Sequence, residues 1–415
     1  MSKLLSMNSY HYRRGGADAV YFEHDALFRE AGWDTAVFAM HHPLNLPSEW
    51  AEYFVDELQY GHDYSVLQRI GMTGKVIYSL EARDKLRRLL SRFRPDIAHA
   101  HNLYHHLSPS VLPLLRQEGI PVVLTAHDLK LCCPAKQMGT HSGSCDRCRT
   151  GNYLHLVRHR CVKDSWSVSA LVALESTLHR WSGIYRRNLN RIVVPSLFFR
   201  RTFEEWGWPA EQLVHIPNFI RIEEFVPATA PGDSFVYFGR LDAEKGFGTL
   251  LEAVRQSGER LVIVGAGALE REAKDAVAAA GGRLAWLGRR TGRELFDVVA
   301  DARAVIVPSE CYENAPMAIL EAYALGKPVI GADIGGIPEL VEEGETGFLF
   351  PSGDVEGLRT AIKRMRDLPT GEVAAMGAGA RRFVAERFTA ELYRERMLGL
   401  YASLGVAVER HRASN

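Results

Sequence analysis

The chain has 415 residues, with 50 Lys and Arg balanced by 50 Asp and Glu, and the composition of an ordinary soluble globular protein. Its length exceeds what one hydrophobic core usually serves, so two α/β domains of about 200 residues each are expected. A formal net charge of zero gives no support to a nucleic-acid partner held by counterion release, and no apolar run of about 18 residues offers a membrane span.

The charge is unevenly spread. Residues 1–225 hold 27 Lys and Arg against 23 Asp and Glu, together with 15 of the 16 His. A modestly basic, His-rich half suits an anionic or lipid-phosphate acceptor, and it suits ordinary surface charge equally well. The apolar run at the start is too short for a signal peptide. The expected location is cytoplasmic, at most peripheral at the inner face of a membrane through basic or apolar side chains of the first domain.

In chain order, Lys3–Met7 predicts a strand that runs into a polar loop ending in Gly15-Gly16, and apolar residues from Val20 to Phe28 then recur at helical spacing. Strand, glycine loop and helix start together make a phosphate cradle, because glycine lets backbone N–H groups approach an anion at a helix N-terminus. Taken alone, Gly-Gly is also an ordinary turn. A second strand, Thr35–Phe38, leads into a polar and aromatic loop, His41–Asp63, where an acceptor could lie. Ile97–His99 continues to His101, and this His-x-His puts two imidazoles on one face. No acidic partner stands close by, so a polar strand end is preferred to a metal site. The next strand, Val122–Thr125, ends in Ala126-His127-Asp128, at the carboxyl end where open sheets place ligands.

An insert follows over residues 132–161, holding five of the six cysteines: Cys132, Cys133, Cys145, Cys148 and Cys161. One Cys-x2-Cys with flanking thiols about 12 residues away on either side has the spacing of a tetrahedral zinc knuckle. Reduced, merely buried thiols are the other reading. Ser165–Leu189 is helical in pattern. Arg191–Pro195 is a further strand, Val214–Pro217 closes the first domain, and the prolines from Pro217 to Pro231 mark a linker. Strands at Ser234–Phe238, Leu261–Val264, Leu284–Leu287, Ala304–Val307 and Pro328–Ala332 then alternate with helices, one opening on a capping box, Thr291 to Glu294. Alternation of this kind predicts a doubly wound parallel sheet. After the first of these strands stands Gly239-Arg240 and then Glu244-Lys245-Gly246, two cations around a turn that could neutralise a diphosphate or form a plain surface pair.

After the Ala304–Val307 strand comes Glu313, then a helix framed by Pro316 and by Gly326 with Pro328, with Glu321 inside it. At helical rise the two carboxylates are roughly 12 Å apart. A pair sharing one scissile glycosidic bond would lie about 5 to 9.5 Å apart, so this spacing suits two grips on one elongated ligand.

Glu313 and Glu321 with seven residues between them, followed by Gly-Lys-Pro-Val and Gly335-Gly336-Ile337-Pro338-Glu339, resemble glycosyltransferase family 4. The resemblance spans nearly the whole chain, with its specific motifs in the second half. It implies a GT-B fold: two Rossmann-like, doubly wound parallel-sheet domains facing across a cleft. These would be an acceptor-side domain 1–217 with the Cys-rich insert, a donor domain 218–377, and a segment 378–415 in which a helix from Ala378 to Leu404 returns to the first domain. It further implies a retaining transferase that moves a sugar from a nucleotide-diphosphate donor to a carbohydrate or lipid-linked acceptor, in glycan, polysaccharide or glycolipid synthesis. By the same resemblance Glu313 holds the donor sugar, Glu321 the ribose, Arg240 and Lys245 the diphosphate, and His127 faces the sugar. Gly15, Gly16, Gly239, Gly265, Gly288, Arg289, Asn314, Ala315, Pro316 and Met317 complete the donor contacts. The insert resembles that of one subset of the family, which favours Cys133 over Cys132 beside Cys145, Cys148 and Cys161. No cofactor is implied for catalysis, and no Asp-x-Asp metal motif occurs. A GT-B epimerase or phosphorylase, and a non-catalytic nucleotide-sugar-binding module, are the rival readings.

Overall fold

Runs of aliphatic and β-branched residues four to six long, separated by helical stretches, become parallel strands buried on both faces. The structure, a computed structural model, describes residues 1–57, 74–104, 106–136, 138–140, 143–228 and 230–408. The far end of the His41–Asp63 loop and the tail from Arg410 lie outside these residues. The chain divides into two compact units, one holding Met1–Pro195, Phe199–Ile216 and the residues from Arg394 onward, the other Ser196–Phe198 and Pro217–Tyr393.

In the first unit the strands are β1 (Lys3–Asn8), β2 (Asp34–Phe38), β3 (Ile97–Asn102), β4 (Val122–Thr125), β7 (Arg191–Val194) and β8 (Leu213–His215), in the order β2-β1-β3-β4-β7-β8 and all parallel. A two-residue hairpin, β5 (Gly139–Thr140) with β6 (Gly143–Ser144), lies within the Cys-rich insert.

The second unit has β9 (Ser234–Phe238), β10 (Leu261–Val264), β11 (Leu284–Trp286), β12 (Ala302–Val307), β13 (Val329–Asp333) and β14 (Gly347–Pro351), also all parallel, in the order β11-β10-β9-β12-β13-β14. Its core centres on residues such as Phe235, Val305, Ile306, Tyr323 and Ile330.

Four details differ from the sequence reading. β14 is a sixth strand of the second sheet; its five residues begin with glycine and end with proline, a composition tolerated because it is the edge strand. The capping box at Thr291 is not made. Gly292, with φ +56°, stands at the N-cap instead, and the helix begins at Arg293. The expected helix Ala378–Leu404 is two helices, Thr370–Arg387 and Ala390–Ser403, interrupted where the Ile220 N–H donates to the Phe388 carbonyl at 2.9 Å. The chain therefore rejoins the first unit at Arg394 rather than at Ala378.

Candidate active site

β9 and β12 lie side by side in the second sheet, and the strand order runs outward from them in opposite directions. Open α/β sheets bind ligands outside the carboxyl ends of strands at such a reversal. Gly239–Gly246 and Pro308–Met317, the segments that carry the expected cations and Glu313, follow these two strands.

Ala243–Lys245 form one tight turn, and Gly246 closes it with φ +68°. A Cβ on Gly246 would stand 1.8 Å from the Pro308 carbonyl oxygen, so only glycine lets the two loops touch. That approach brings Lys245 to Glu313. Lys245 Nζ donates to Glu313 Oε1 at 2.5 Å, and Ser309 Oγ donates to the same oxygen at 2.7 Å. Burial opposes the Lys245 charge, but the Glu313 carboxylate outweighs it and holds the ammonium pKa above its usual value. Arg240 reaches Asp242 at 2.5 Å and Glu244 beyond it, with more than half of its side chain exposed.

Backbone bonds join the turns after β9, β10 and β11 into one ridge. Gly239 N–H donates to Val264, Leu241 to Ala266 and Gly265 to Gly288, at 3.0, 3.0 and 2.9 Å. The predicted Gly239, Gly265 and Gly288 all stand on this ridge, and Arg289 follows it.

The Glu313 loop is held from its other side by Gly335-Gly336, which follows β13. Gly336 N–H donates to the Glu313 carbonyl at 2.8 Å, and a Cβ there would stand 1.8 Å from the Asn314 carbonyl oxygen. Asn314 Oδ1 accepts from Ser196 Oγ at 2.9 Å, and the Ala315 carbonyl accepts from Asn218 Nδ2 at 3.2 Å. Pro316 is the N-cap of the helix Met317–Ala324, one residue before the first helical position expected for it. Glu321 lies inside that helix. It keeps some exposed surface, but protein encloses its carboxyl, and that desolvation pushes its pKa up to about 7.

In the first unit, Gly15 is the N-cap of the helix Gly16–Glu30, and a Cβ there would meet no protein atom, so packing does not require glycine at this position. Asp18 stands buried in the first turn, bound by Arg14 Nε at 2.9 Å and Nη2 at 3.0 Å, and by Asn8 Nδ2 at 3.0 Å. Its charge is thus matched by the Arg14 guanidinium. His127 follows β4, with its Nε2 at 3.0 Å from His101 Nδ1 and the two rings stacked. Burial lowers its pKa to about 4, against the pull of Asp128 and Asp18, so the ring is neutral near pH 7.

His99 and His101 are not the polar strand end expected from the sequence. Both are fully buried, and with His24 they form the one group, among the described residues, of three potential ligand atoms within 4.8 Å of one another. The geometry is that of a stack. The His99 and His101 rings lie 4.8 Å apart and 21° from parallel, so their lone pairs do not converge. His99 also uses both nitrogens, on the Tyr401 and Thr125 hydroxyls at 2.5 and 2.7 Å.

The insert gathers four thiols. Burial pushes Cys148 up to about 12, and Cys133, Cys145 and Cys161 add to the effect. The Cys161 thiol is raised first by burial and then by Cys133 and Cys145. Cys133 is also raised by burial, while the backbone N–H groups of Met138, Ala135 and Lys136 act on its sulfur in favour of the thiolate. Cys132 lines a different cavity, with Tyr153, Trp206 and Trp208.

Two family descriptions match the chain: Glycosyltransferase Family 4 over residues 14–224, half of its length, and Glycosyl transferases group 1 over residues 232–367. The chain belongs to glycosyltransferase family 4. The glycogen synthase of Mycobacterium tuberculosis is 26% identical over 305 residues, 71% of this chain and 66% of that protein, so the chain spans just under two thirds of this relative. Among solved structures, sucrose-phosphate synthase from Thermosynechococcus elongatus superposes with a TM-score of 0.71 at 21% identity, over 98% of this chain and 99% of that one. Anabaena Alr3699/HepE in complex with UDP-glucose gives 0.67 at 18% identity, over 97% and 100%. These likenesses show the GT-B fold.

For this family 4 member, sequence reasoning missed Ser309, Gly246 and Gly336 as parts of the Glu313 site, and His101 as the partner of His127. Ser309 stands four residues before Glu313, directly after a strand end, which is a readable signal. Nothing local marks His101 as the neighbour of a residue on the next strand.

Proposed function

We propose that the chain is a retaining glycosyltransferase that moves a sugar from a nucleotide-diphosphate donor to an acceptor hydroxyl, in glycan, polysaccharide or glycolipid synthesis. The observation that carries this reading is the Lys245–Glu313 pair at the strand reversal, with Arg240 on the same turn. Family membership and the likeness to a structure containing UDP-glucose support it.

In this reading Arg240 and Lys245 face the donor diphosphate, where negative charge grows as the bond between the sugar's C1 and the phosphate oxygen breaks. Glu313, already oriented by Lys245 and Ser309, accepts hydrogen bonds from sugar hydroxyls. Glu321 accepts from the ribose. The acceptor oxygen bonds to C1 on the face the diphosphate leaves, and the departing phosphate oxygen takes the acceptor's proton. Configuration at C1 is thereby retained, with no carboxylate nucleophile. Protein cations supply the charge neutralisation that a divalent metal supplies elsewhere, so turnover is metal-independent. His127, neutral and fixed by His101, offers a hydrogen bond without adding charge.

The four thiols Cys133, Cys145, Cys148 and Cys161 fit a structural zinc in donor type and number. Their sulfurs are spread more widely than the histidine group, so the metal would draw them together.

The test is donor turnover across nucleotide sugars, starting with UDP-glucose, with a panel of carbohydrate and lipid-linked acceptors and the product anomer read by NMR. Transfer with retained configuration is expected. Binding without turnover would make the chain a sensor, and donor consumption without acceptor would make it an epimerase or phosphorylase.

A further inference from the structure

The helix Trp166–Ser182 of the first unit buries Val172 and Ala173 but also polar groups, and leaves large apolar side chains outside. Its carboxylate, Glu175, is buried, as are Ser169 and His179, while Leu174, Leu178 and Trp181 are 49, 38 and 83% exposed. Spacings of four and three residues put these three side chains on one stripe. The orientation is locked by bonds on the inner face. Glu175 pairs with the buried Lys130 at 3.2 Å, His179 Nε2 bonds the Ile77 carbonyl at 2.8 Å, and Ser169 Oγ accepts from the Val162 N–H at 3.1 Å. The leucines cannot turn inward without breaking all three.

The surroundings extend the stripe and charge it. Leu154, on the short helix Leu154–Arg158, is 74% exposed, and Trp166 is more than half exposed with the Arg160 guanidinium 5.5 Å from its ring. Residues 145–190 hold eight Lys and Arg against three Asp and Glu, one of the three being the buried Glu175. All eight cations are exposed. An apolar stripe with an exposed Trp, rimmed by cations, is the composition of a helix that lies in the headgroup region of an anionic bilayer. No described helix is long and apolar enough to cross one. A second copy docking on this face would bring two cation-rich segments together, which the charge disfavours.

We propose that this face docks on an anionic lipid surface, Leu174, Leu178 and Trp181 entering it and the arginines holding its headgroups. The proposal goes beyond the transferase reading, and its test needs no turnover, so either can fail alone.

The experiment is cosedimentation of the full chain with phosphatidylcholine vesicles, with and without phosphatidylglycerol, at low and high salt. Binding is expected only with the anionic lipid, weakened by salt. L174S/L178S/W181S and, separately, R180E/R187E should each bind at least about tenfold more weakly. Both should keep the wild-type melting temperature. If the triple variant does not fold, W181S alone carries the apolar arm. Equal binding to neutral vesicles, wild-type binding by the charge-reversal variant or by the folded apolar variant, or a dimer that the apolar variant splits, overturns the proposal.

Discussion

Lys245 and Glu313, 68 residues apart in sequence, meet at 2.5 Å across the point where the strand order of the second sheet reverses. The pair is partly buried, so each residue would leave the other's charge poorly compensated if removed. The same oxygen of Glu313 also receives Ser309, which leaves its other carboxylate oxygen to a ligand without loss of orientation.

Lys245→Ala and Arg240→Ala should each lower kcat by at least about 10²-fold, because both cations matter more as the leaving group gains charge. Steady-state kinetics with saturating donor checks this. A single variant keeping more than half of wild-type kcat would remove that residue from the phosphate site.

Gly336→Ala should destabilise the second unit and lower activity together. The added Cβ collides with the Asn314 carbonyl, and relieving it displaces the loop carrying Glu313. Overpacking of this sort costs about 1–3 kcal/mol. Gly248→Ala is the control, since it lies in a helix where a Cβ meets nothing within 4 Å. Thermal melts and kcat of the two variants decide it, and a Gly336→Ala protein as stable and active as the control would show that the close approach is not required.

How much of this was readable in the sequence follows the range of the interactions. Strands such as Ser234–Phe238 and Val122–Thr125 announce themselves through local composition, and the strand ends with their glycine turns follow from them. Gly347–Pro351 did not, because an edge strand need not look like a buried one. Arg240, Lys245, Glu313 and Glu321 were found through motif resemblance, but their grouping depends on pairing between β9 and β12, which no local spacing encodes. The His99-x-His101 spacing suggested a shared face correctly. It could not show that the face is buried beneath the helix Gly16–Glu30, with Tyr401 from the far end of the chain bonded to it. Which side of the helix Trp166–Ser182 faces inward was unreadable for the same reason, because bonds to distant residues such as Lys130–Glu175 and His179 to the Ile77 carbonyl decide it.

Glu321 predicts two pH effects of opposite sign. Its pKa is raised from 4.5 to about 7 in the folded chain, so the fold favours the protonated form. Stability from this group is full below 4.5 and is lost as pH rises toward 7 and beyond. Ribose hydroxyls need the carboxylate as acceptor, so donor affinity should instead rise over the same window, by at most about tenfold per pH unit below the pKa. Calorimetry with an intact nucleotide sugar between pH 5 and 8, in wild type and Glu321→Gln, is the measurement. The pH step should be absent in the Gln variant. An identical step in both would place the titrating group elsewhere.

The Cys-rich insert carries the last prediction. Helix Leu154–Arg158 and the two-residue hairpin are too short to be stable by themselves, and the residues around them offer few buried apolar side chains. Four thiols nevertheless lie in this segment, and burial, with neighbouring thiols adding to it, raises those of Cys133, Cys148 and Cys161, that of Cys148 to about 12. A bound cation reverses that balance by favouring thiolates, and its binding free energy becomes folding free energy for the insert. Protein purified without chelator should contain about one zinc per chain. Cys133, Cys145, Cys148 and Cys161 should resist a thiol reagent until a strong chelator is added, whereas Cys311 and the separately placed Cys132 should react at the same rate before and after. Cys148→Ser should lose the metal, lower the melting temperature and open residues 145–165 to protease. Zinc-free protein with a wild-type melt, or four thiols whose reactivity ignores the chelator, would leave the insert as a cluster of reduced, buried cysteines.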